Sequence, residues 1–392
     1  MLSAPSLDFT TTIAAVVPFH TYLWKIASRC NLNCKYCYVY NLADQRWRRQ
    51  PHFMSEDTAR QCACRIRKHL QKHGKKDLVI IFHGGEPLLG GIDQLRMLCT
   101  IIREELTDYG FQPQLSMQSN LTLLNEEIAD FLLENRIVVG TSMDGPAEWN
   151  DVFRVDHSGN SSTEATERGL VLISSPKYRK IWSGILCVIN PWSDPVCVLD
   201  YLRQYSPSMI DLLYPLNHHD NPPRGKETDR DSTPYADWLI RFFDHWWHSG
   251  ASPEIRTFSS IMRLCCGLES QVESIGLNVI DLVVVETNGD IEGLDSLKST
   301  YDGATNLLAN VLGSDFDSVA LHSLVRFRQM GLDQLCETCK NCSVVKVCGG
   351  GYIPHRYSSR DGFMNPSIYC RDLEKVIRHI HASVKRSIDA LA

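Results

Sequence analysis

The strongest constraint on the fold is an alternation of strand-like and helix-like segments that repeats six times within residues 22–214. The run 78–82 is continuously apolar, which is typical of a parallel strand covered on both faces. The segment 55–74 reads as a helix that Ser55 caps at its start and Gly74 ends. Six such units predict an α/β fold in which a parallel sheet curls into a partial (β/α)6 TIM barrel, since a complete barrel has eight strands.

The chain of 392 residues is longer than one ordinary domain. We predict an N-terminal arm at 1–21, the partial barrel at 22–231 and a second domain at 232–392. The boundary follows a polar, proline-containing loop at 217–231. The second domain is expected to contain two helices, a hairpin at 282–294, a cysteine-rich region and a terminal helix from Asp372.

Composition excludes several classes of protein. The net charge of -6 comes from interspersed acidic and basic residues, which argues against a nucleic-acid partner. The sequence has no run of eighteen apolar residues to span a membrane and no export signal at its start, so we expect a cytoplasmic protein with no membrane partner. Fifteen cysteines then indicate metal or redox chemistry rather than a disulfide framework.

Three of these cysteines, Cys30, Cys34 and Cys37, lie in one short loop after the first predicted strand. A closed zinc or iron–sulfur site takes four protein ligands, so three suggest a cluster with one iron left open. With Tyr36, the loop resembles the CX3CXφC motif of radical S-adenosylmethionine (SAM) enzymes. The resemblance implies a [4Fe–4S] cluster whose open iron binds the amino and carboxylate groups of SAM. A zinc loop is the alternative.

Further motifs fall at the carboxyl ends of predicted strands, where parallel α/β sheets bind ligands. Gly84-Gly85-Glu86-Pro87 resembles the GGEP motif that holds the SAM amino group, and Ser142 with Asp144 resembles a strand end of peptide-modifying relatives. There the serine lies near SAM and the aspartate near the substrate. The predicted SAM-binding residues are Gly84, Gly85, Glu86, Ser119, Asn120, Ser142, Asp144 and Arg154. A surface ion pair is the alternative for Arg154.

A second group of cysteines occurs near the carboxyl terminus: Cys336, Cys339, Cys342, Cys348 and Cys370. A zinc ribbon is one interpretation. The last four of these cysteines resemble the second auxiliary-cluster site of the SPASM domain, which implies one auxiliary [4Fe–4S] cluster in a SPASM/twitch-like domain. Two cysteines of the first auxiliary site are missing, because the hairpin segment 292–298 has none and the other position is Tyr352. The role of Cys336 stays open.

Segments 18–51, 213–223, 295–298 and 347–357 resemble the cyclophane-forming radical SAM/SPASM peptide maturases. Such enzymes join an aromatic ring to the Cβ of a residue two positions later in a ribosomal precursor peptide. The ring must then lose one electron, for which the auxiliary cluster is a candidate acceptor, and one proton, which needs a base. By position, His219, Asp220 and Asp295 are candidates for this base. A hydrogen-bonded structural role is the alternative for each.

The expected partners are SAM, a precursor peptide and an electron donor such as flavodoxin or ferredoxin. No leader-binding domain of the usual size precedes the predicted barrel, so precursor recognition is expected on the barrel surface, at a sheet edge or on a separate protein. Two other functions stay open. One is radical SAM chemistry with another outcome: thioether formation, epimerisation, hydroxylation, or oxidation of a sulfatase cysteine or serine. The other is a zinc protein without enzymatic activity.

Overall fold

The computed structural model describes residues 16–389, so most of the predicted N-terminal arm lies outside the described residues. Six parallel strands form the core of the sheet and are hydrogen-bonded in chain order. They are β1 (Thr21–Ala27), β2 (Asp77–Gly84), β3 (Gln112–Ser119), β4 (Val138–Ser142), β5 (Trp182–Val188) and β6 (Met209–Leu213). The predicted six-stranded partial barrel is confirmed.

Helices connect these strands as expected for right-handed crossovers. They are α1 (Glu56–Lys72), α2 (Gly91–Glu105), α3 (Glu126–Glu134), α4 (Ala147–Phe153), α5 (Thr163–Ile173) and α6 (Pro195–Arg203). The side chain of Ser55 accepts the N–H of Thr58, and that of Asn125 accepts the N–H of Ile128. Ser55 therefore acts as the predicted N-cap, and Asn125 caps α3 in the same way. The short helix α4 was not predicted.

The carboxyl-terminal part adds four short strands to the same sheet and seven helices. These elements are α7 (Pro234–His248), β7 (Glu254–Ile255), α8 (Arg256–Cys265), β8 (Leu282–Val285), β9 (Asp290–Glu292), β10 (Asn306–Asn310), α9 (Phe316–Ala320), α10 (Ser323–Phe327), α11 (Glu337–Lys340), α12 (Val345–Cys348) and α13 (Cys370–Asp389). Helix α8 ends at Cys265, and Gly267 just beyond it adopts a left-handed φ of 78°.

The predicted hairpin forms from β8 and β9, but it does not stand apart from the barrel. Strand β8 pairs in parallel with β1, and β7 pairs with β6, giving the order β10-β9-β8-β1-β2-β3-β4-β5-β6-β7. The sheet therefore continues across the predicted domain boundary near residue 232, and the division of the chain into domains stays a prediction. The hairpin thereby brings the segment after β9 to the edge of the barrel interior.

Candidate functional site

A cavity of about 720 Å³ lies inside the partial barrel. The thiols of Cys30, Cys34 and Cys37 line it, and all three come from the loop that follows β1. The irregular segment 270–282 lines another part of it. A volume of this size is typical of a ligand site. It leaves room for a ligand beside the cysteines.

The three thiols fit an iron–sulfur cluster. None of them forms a disulfide. Burial raises the pKa of Cys30 to about 12 and that of Cys37 to about 11, so a metal is needed to stabilise the thiolates that act as ligands. The Sγ atom of Cys30 accepts the N–H of Leu32 at 3.4 Å and the amide of Asn120 at 3.8 Å. Such N–H donors stabilise negative charge on a ligating sulfur.

Gly84 and Gly85 let the loop after β2 lie directly against the cysteine loop. A Cβ atom on Gly84 would lie 2.0 Å from the carbonyl oxygen of Ala27, and one on Gly85 would lie 1.9 Å from the hydroxyl of Tyr40. No larger residue fits at either position without movement of the backbone. Both glycines line the cavity, as predicted for a SAM-binding loop.

Glu86 has a different place from the one the motif suggested. Its side chain is fully buried and accepts the backbone N–H of Asn120 at 2.7 Å, the backbone N–H of Leu88 at 2.9 Å and the hydroxyl of Ser119 at 2.8 Å. It therefore fixes the loop after β2 onto the end of β3 and is not among the residues that line the cavity. Ser119 and Asn120 do line it.

At the end of β4, Ser142 lines the cavity while Asp144 is buried beside it. Asp144 accepts the hydroxyl of Tyr36 at 2.6 Å and the N–H of Val188 at 2.8 Å. This aspartate thus anchors the aromatic residue of the cysteine motif and does not face the cavity where a substrate would lie.

Arg154 lines the cavity and is only 6% exposed, so the alternative of a surface ion pair does not apply. Its Nη1 donates to the hydroxyl of Tyr36 at 3.1 Å, but its Nε atom is buried without a hydrogen-bond partner among the described residues. This Nε atom is closed off from the cavity, so it is the charge of the guanidinium beside the cavity that is suited to attract a carboxylate. The carboxylate of SAM is such a group.

Asp295 lies in the lining of the same cavity, next to two buried lysines. Its carboxylate forms a close ion pair with Lys25, accepts the hydroxyl of Tyr38 at 2.9 Å and lies 3.0 Å from Nζ of Lys298. Burial alone raises the pKa of Asp295, but Lys25 and Lys298 outweigh it and hold the pKa well below its usual range. Asp295 is therefore ionised.

The other two candidates for the base, His219 and Asp220, are not brought to this cavity. His219 Nε2 lies 2.8 Å from the carbonyl oxygen of Pro366, and Asp220 accepts the N–H of Ser359 at 2.7 Å. These contacts hold the loop after β6 against the segment 357–366. These contacts fit the alternative interpretation, a hydrogen-bonded structural role for both residues.

His83 is a cavity residue that the sequence interpretation missed. It is the strand neighbour of Lys25 in the pairing of β1 with β2. Its Nδ1 is buried without a partner in the described part of the chain, and burial lowers its pKa to about 3. The imidazole is therefore neutral. Its place directly before Gly84 is the signal that could have identified it.

A second cavity of about 210 Å³ is lined by Cys339, Cys342, Cys348 and Cys370. These four cysteines come from α11, the turn after it, the end of α12 and the first residue of α13. Burial raises the pKa of Cys348 to about 12, so here too a metal is needed to hold thiolates. Four converging thiols fit a closed four-ligand cluster. Cys336 does not line this cavity.

The first auxiliary site of a SPASM domain has no ligands here. Leu294, Tyr352 and residues 270–282 line the barrel cavity where β9 meets the cysteine-rich region, and the cysteines lining that cavity are those of the first loop alone. The hydroxyl of Tyr352 instead donates to Glu273. The described residues therefore fit one auxiliary cluster.

Comparisons with known proteins agree with this site. Residues 24–188 match the family model of the radical SAM superfamily. The chain is 26% identical over 376 residues to a cysteine-type anaerobic sulfatase-maturating enzyme of Clostridium perfringens, covering 92% of this chain and 96% of the relative.

Two solved structures are similar throughout. Native anSMEcpe with bound AdoMet has a TM-score of 0.80 at 23% identity, covering 94% of this chain and 99% of that one. Native anSMEcpe with bound AdoMet and Cp18Cys peptide has a TM-score of 0.77 at 22% identity, covering 95% and 99%. The chain therefore has the radical SAM fold, and its two cysteine sites fit the [4Fe–4S] clusters of that superfamily.

Within residues 16–389, no helix has the length and apolar character needed to cross a bilayer.

Proposed function

We propose that this enzyme modifies a ribosomal precursor peptide by removing a hydrogen from the Cβ of one residue and joining that carbon to an aromatic ring. One observation carries the proposal. A single cavity of about 720 Å³ is lined by the three cysteines, by six of the eight predicted SAM-binding residues and by the ionised Asp295, yet it lacks the cysteines of a first auxiliary cluster.

The cavity residues divide into a SAM end and a substrate end. Cys30, Cys34 and Cys37 would hold a cluster that, when bound, supplies the electron for cleaving SAM to methionine and a 5′-deoxyadenosyl radical. Arg154 and Ser142 would bind the carboxylate and neighbouring polar groups of SAM. The enclosure of the cavity keeps the reacting groups in near contact and limits the access of water.

Asp295 would accept the proton that leaves the aromatic ring. Lys25 and Tyr38 already donate to its carboxylate and Nζ of Lys298 lies 3.0 Å from it, so it is a weak base. A weak base is sufficient here, because the ring hydrogen becomes strongly acidic once the new carbon–carbon bond has formed and one electron has been lost. A general base that is ionised at every physiological pH needs no prior deprotonation.

The four thiols of the second cavity would hold the auxiliary cluster, which supplies a one-electron acceptor. Their cavity is separate from the barrel cavity in its lining residues. The peptide is thus expected to contact the barrel cavity and not the auxiliary site directly.

Oxidation of a sulfatase-type cysteine or serine is the second candidate function. The similarity to the cysteine-type sulfatase-maturating enzyme favours it. The absence of the first auxiliary cysteines counts against it, because the sulfatase-maturing relatives use the full SPASM set. Thioether formation, epimerisation and hydroxylation are further outcomes of the same Cβ or backbone chemistry.

The test is anaerobic reaction of the reconstituted enzyme with SAM and peptides encoded by small open reading frames beside its gene. We expect a product that has lost two hydrogens, does not react with a hydrazide and resists fragmentation between the joined residues. A product that reacts with the hydrazide contains an aldehyde and would assign sulfatase-type oxidation instead. A peptide of unchanged mass, obtained while SAM is cleaved in a peptide-dependent manner, would point to epimerisation if the peptide takes up deuterium from solvent.

A further inference from the structure

Arg356 is a buried cation that has no anionic protein partner in the described range. Its side chain is 2% exposed. The Nε atom donates to the carbonyl of Gly350 at 3.1 Å, Nη2 donates to the carbonyls of Gly349 at 2.9 Å and Gly351 at 2.8 Å, and Nη1 lies 3.4 Å from the amide oxygen of Gln334. All four acceptors are neutral. A guanidinium stays charged in proteins, and a buried charge without an opposite charge is costly.

The backbone around Arg356 is shaped to hold it. Gly349, Gly350 and Gly351 all adopt left-handed φ angles, of 63°, 79° and 70°. This conformation turns three successive carbonyls toward one guanidinium. A Cβ atom on Gly350 would lie 3.2 Å from Cζ of Arg356, so the glycine also permits the close contact.

The missing negative charge lies on the other side of this backbone. Gly350 lines the second cavity together with the four cysteines, so one layer of backbone separates the guanidinium from that cavity. The ionisable side chains close enough to interact with the charge of Arg356 are those of Cys336, Cys339 and Cys348. The charge of Arg356 is thus directed at the auxiliary-cluster site.

We propose that Arg356 raises the reduction potential of the auxiliary cluster and so makes that cluster an effective electron acceptor. The inference rests on the auxiliary cluster assigned under the proposed function. A cluster held by four thiolates is already an anion, and its reduced form carries one further negative charge. A buried cation stabilises the reduced form more than the oxidised form, and the low dielectric of the interior strengthens this effect.

The electron in question comes from the peptide. After the carbon radical has added to the ring, the ring radical loses one electron and one proton, which restores aromaticity. Cys339, Cys342, Cys348 and Cys370 would hold a cluster able to accept this electron, and Asp295 would accept the proton. Arg356 contacts neither the barrel cavity nor the cysteine thiols directly. It therefore affects the reduction potential of the auxiliary cluster through its charge alone.

The experiment measures the midpoint potential of the auxiliary cluster by an anaerobic titration followed by electron paramagnetic resonance. The full chain carries the C30A, C34A and C37A substitutions, so that the auxiliary cluster is the sole cluster. Arg356→Gln is expected to lower the potential by at least about 59 mV, a tenfold change in a one-electron equilibrium. Arg356→Lys keeps the charge and is expected to retain most of the potential.

Two further variants separate charge from structure. Gln334→Glu places a carboxylate beside Nη1 of Arg356 and is expected to lower the potential without removing the arginine. Arg371→Gln removes a cation that lines the same cavity but is 57% exposed, and solvent screening should make its effect small.

Each outcome supports or overturns the inference that Arg356 raises the reduction potential of the auxiliary cluster. An unchanged potential in Arg356→Gln and Gln334→Glu would overturn the inference, and so would equal losses in Arg356→Gln and Arg356→Lys. If Arg356→Gln lost the cluster by iron count, Gln334→Glu and Arg356→Lys would decide in the same way. A parent protein that bound no iron at all would instead remove the auxiliary cluster from the proposed function.

Discussion

The two cysteine sites of this protein use the same ligand atom in opposite surroundings. Cys30, Cys34 and Cys37 lie in one irregular loop and open into a cavity of about 720 Å³. The carboxyl-terminal site places four thiols, contributed by separate short segments, around a cavity of about 210 Å³. Three thiols beside a large space leave a coordination position for a ligand, whereas four around a small space complete a tetrahedral set.

The arginines beside the two sites also differ in whether a ligand can bind them. Arg154 lines the large cavity and has a buried Nε atom without a partner among residues 16–389. Arg356 lies behind the backbone that lines the small cavity, and its N–H groups donate to backbone carbonyls and to one amide oxygen. The first arginine is available to a ligand that enters, and the second acts only through its charge. Chemistry is therefore expected at the first site, and electron storage at the second.

The largest expected effect is at the first site. Replacing Cys30, Cys34 and Cys37 together by alanine should abolish SAM cleavage, because no cluster remains to supply the electron. Iron should fall from about eight to about four atoms per chain. Chromatography of 5′-deoxyadenosine and an anaerobic iron assay measure both. Continued formation of deoxyadenosine in this variant would refute the assignment of the site.

Loss of the auxiliary-cluster site should leave SAM cleavage intact but prevent formation of the cross-linked peptide. Cys348→Ala or Cys370→Ala removes one of four ligands, so iron should again fall by about four atoms per chain. SAM cleavage without peptide should continue, while the cross-linked peptide should not accumulate. Deoxyadenosine and peptide mass are measured in the same reaction. Unimpaired cross-linking would exclude an electron-acceptor role for this site.

Sequence reasoning could reach this contrast because much of it is encoded locally. The strands follow apolar runs, and the helix starts follow Ser55 and Asn125. The spacing of the first three cysteines is also a local property. Such features can be predicted without knowledge of the tertiary structure.

Other features depend on contacts between distant parts of the chain. Glu86 and Asp144 matched a SAM-binding pattern, yet each is buried and fixes a loop through residues on another strand or loop. His83 and Lys25 become neighbours only through the register of β1 and β2. The addition of the hairpin to the barrel sheet could not be predicted either, because no local pattern specifies which strand β8 pairs with.

Asp295→Asn tests which of the three candidate bases serves the large cavity. The substitution removes the negative charge that faces the cavity, so cross-linking should fall by about a hundredfold while SAM cleavage persists. Product is measured by peptide mass and cleavage by deoxyadenosine. Asp220→Asn is the matched control, because Asp220 does not line the cavity and its carboxylate accepts a backbone N–H elsewhere.

The Asp220→Asn variant also helps to distinguish a loss of activity from a loss of folding. Asp295 neutralises Lys25, whereas Lys298 also pairs with Glu286 and Glu292. Removal of the Asp295 charge therefore leaves Lys25 as a buried positive charge and lowers stability. Iron content and the thermal unfolding midpoint should therefore be compared between the two variants before their activities. Equal loss of cross-linking in Asp220→Asn, with both proteins folded, would move the base from the barrel cavity to the loop after β6.

The smallest expected effect belongs to Cys336, the fifth cysteine near the second site. It precedes α11 and is in contact with Cys339, but it does not line the cavity of the other four. Cys336→Ser should leave iron content unchanged and change the free energy of unfolding by no more than about 0.5 kcal/mol. An anaerobic iron assay and a denaturant titration measure the two quantities. Cys339→Ser is the matched variant and should lose about four irons per chain. If the two results were reversed, Cys336 would be a ligand in place of Cys339, and the set of four thiols around the small cavity would have to be redrawn.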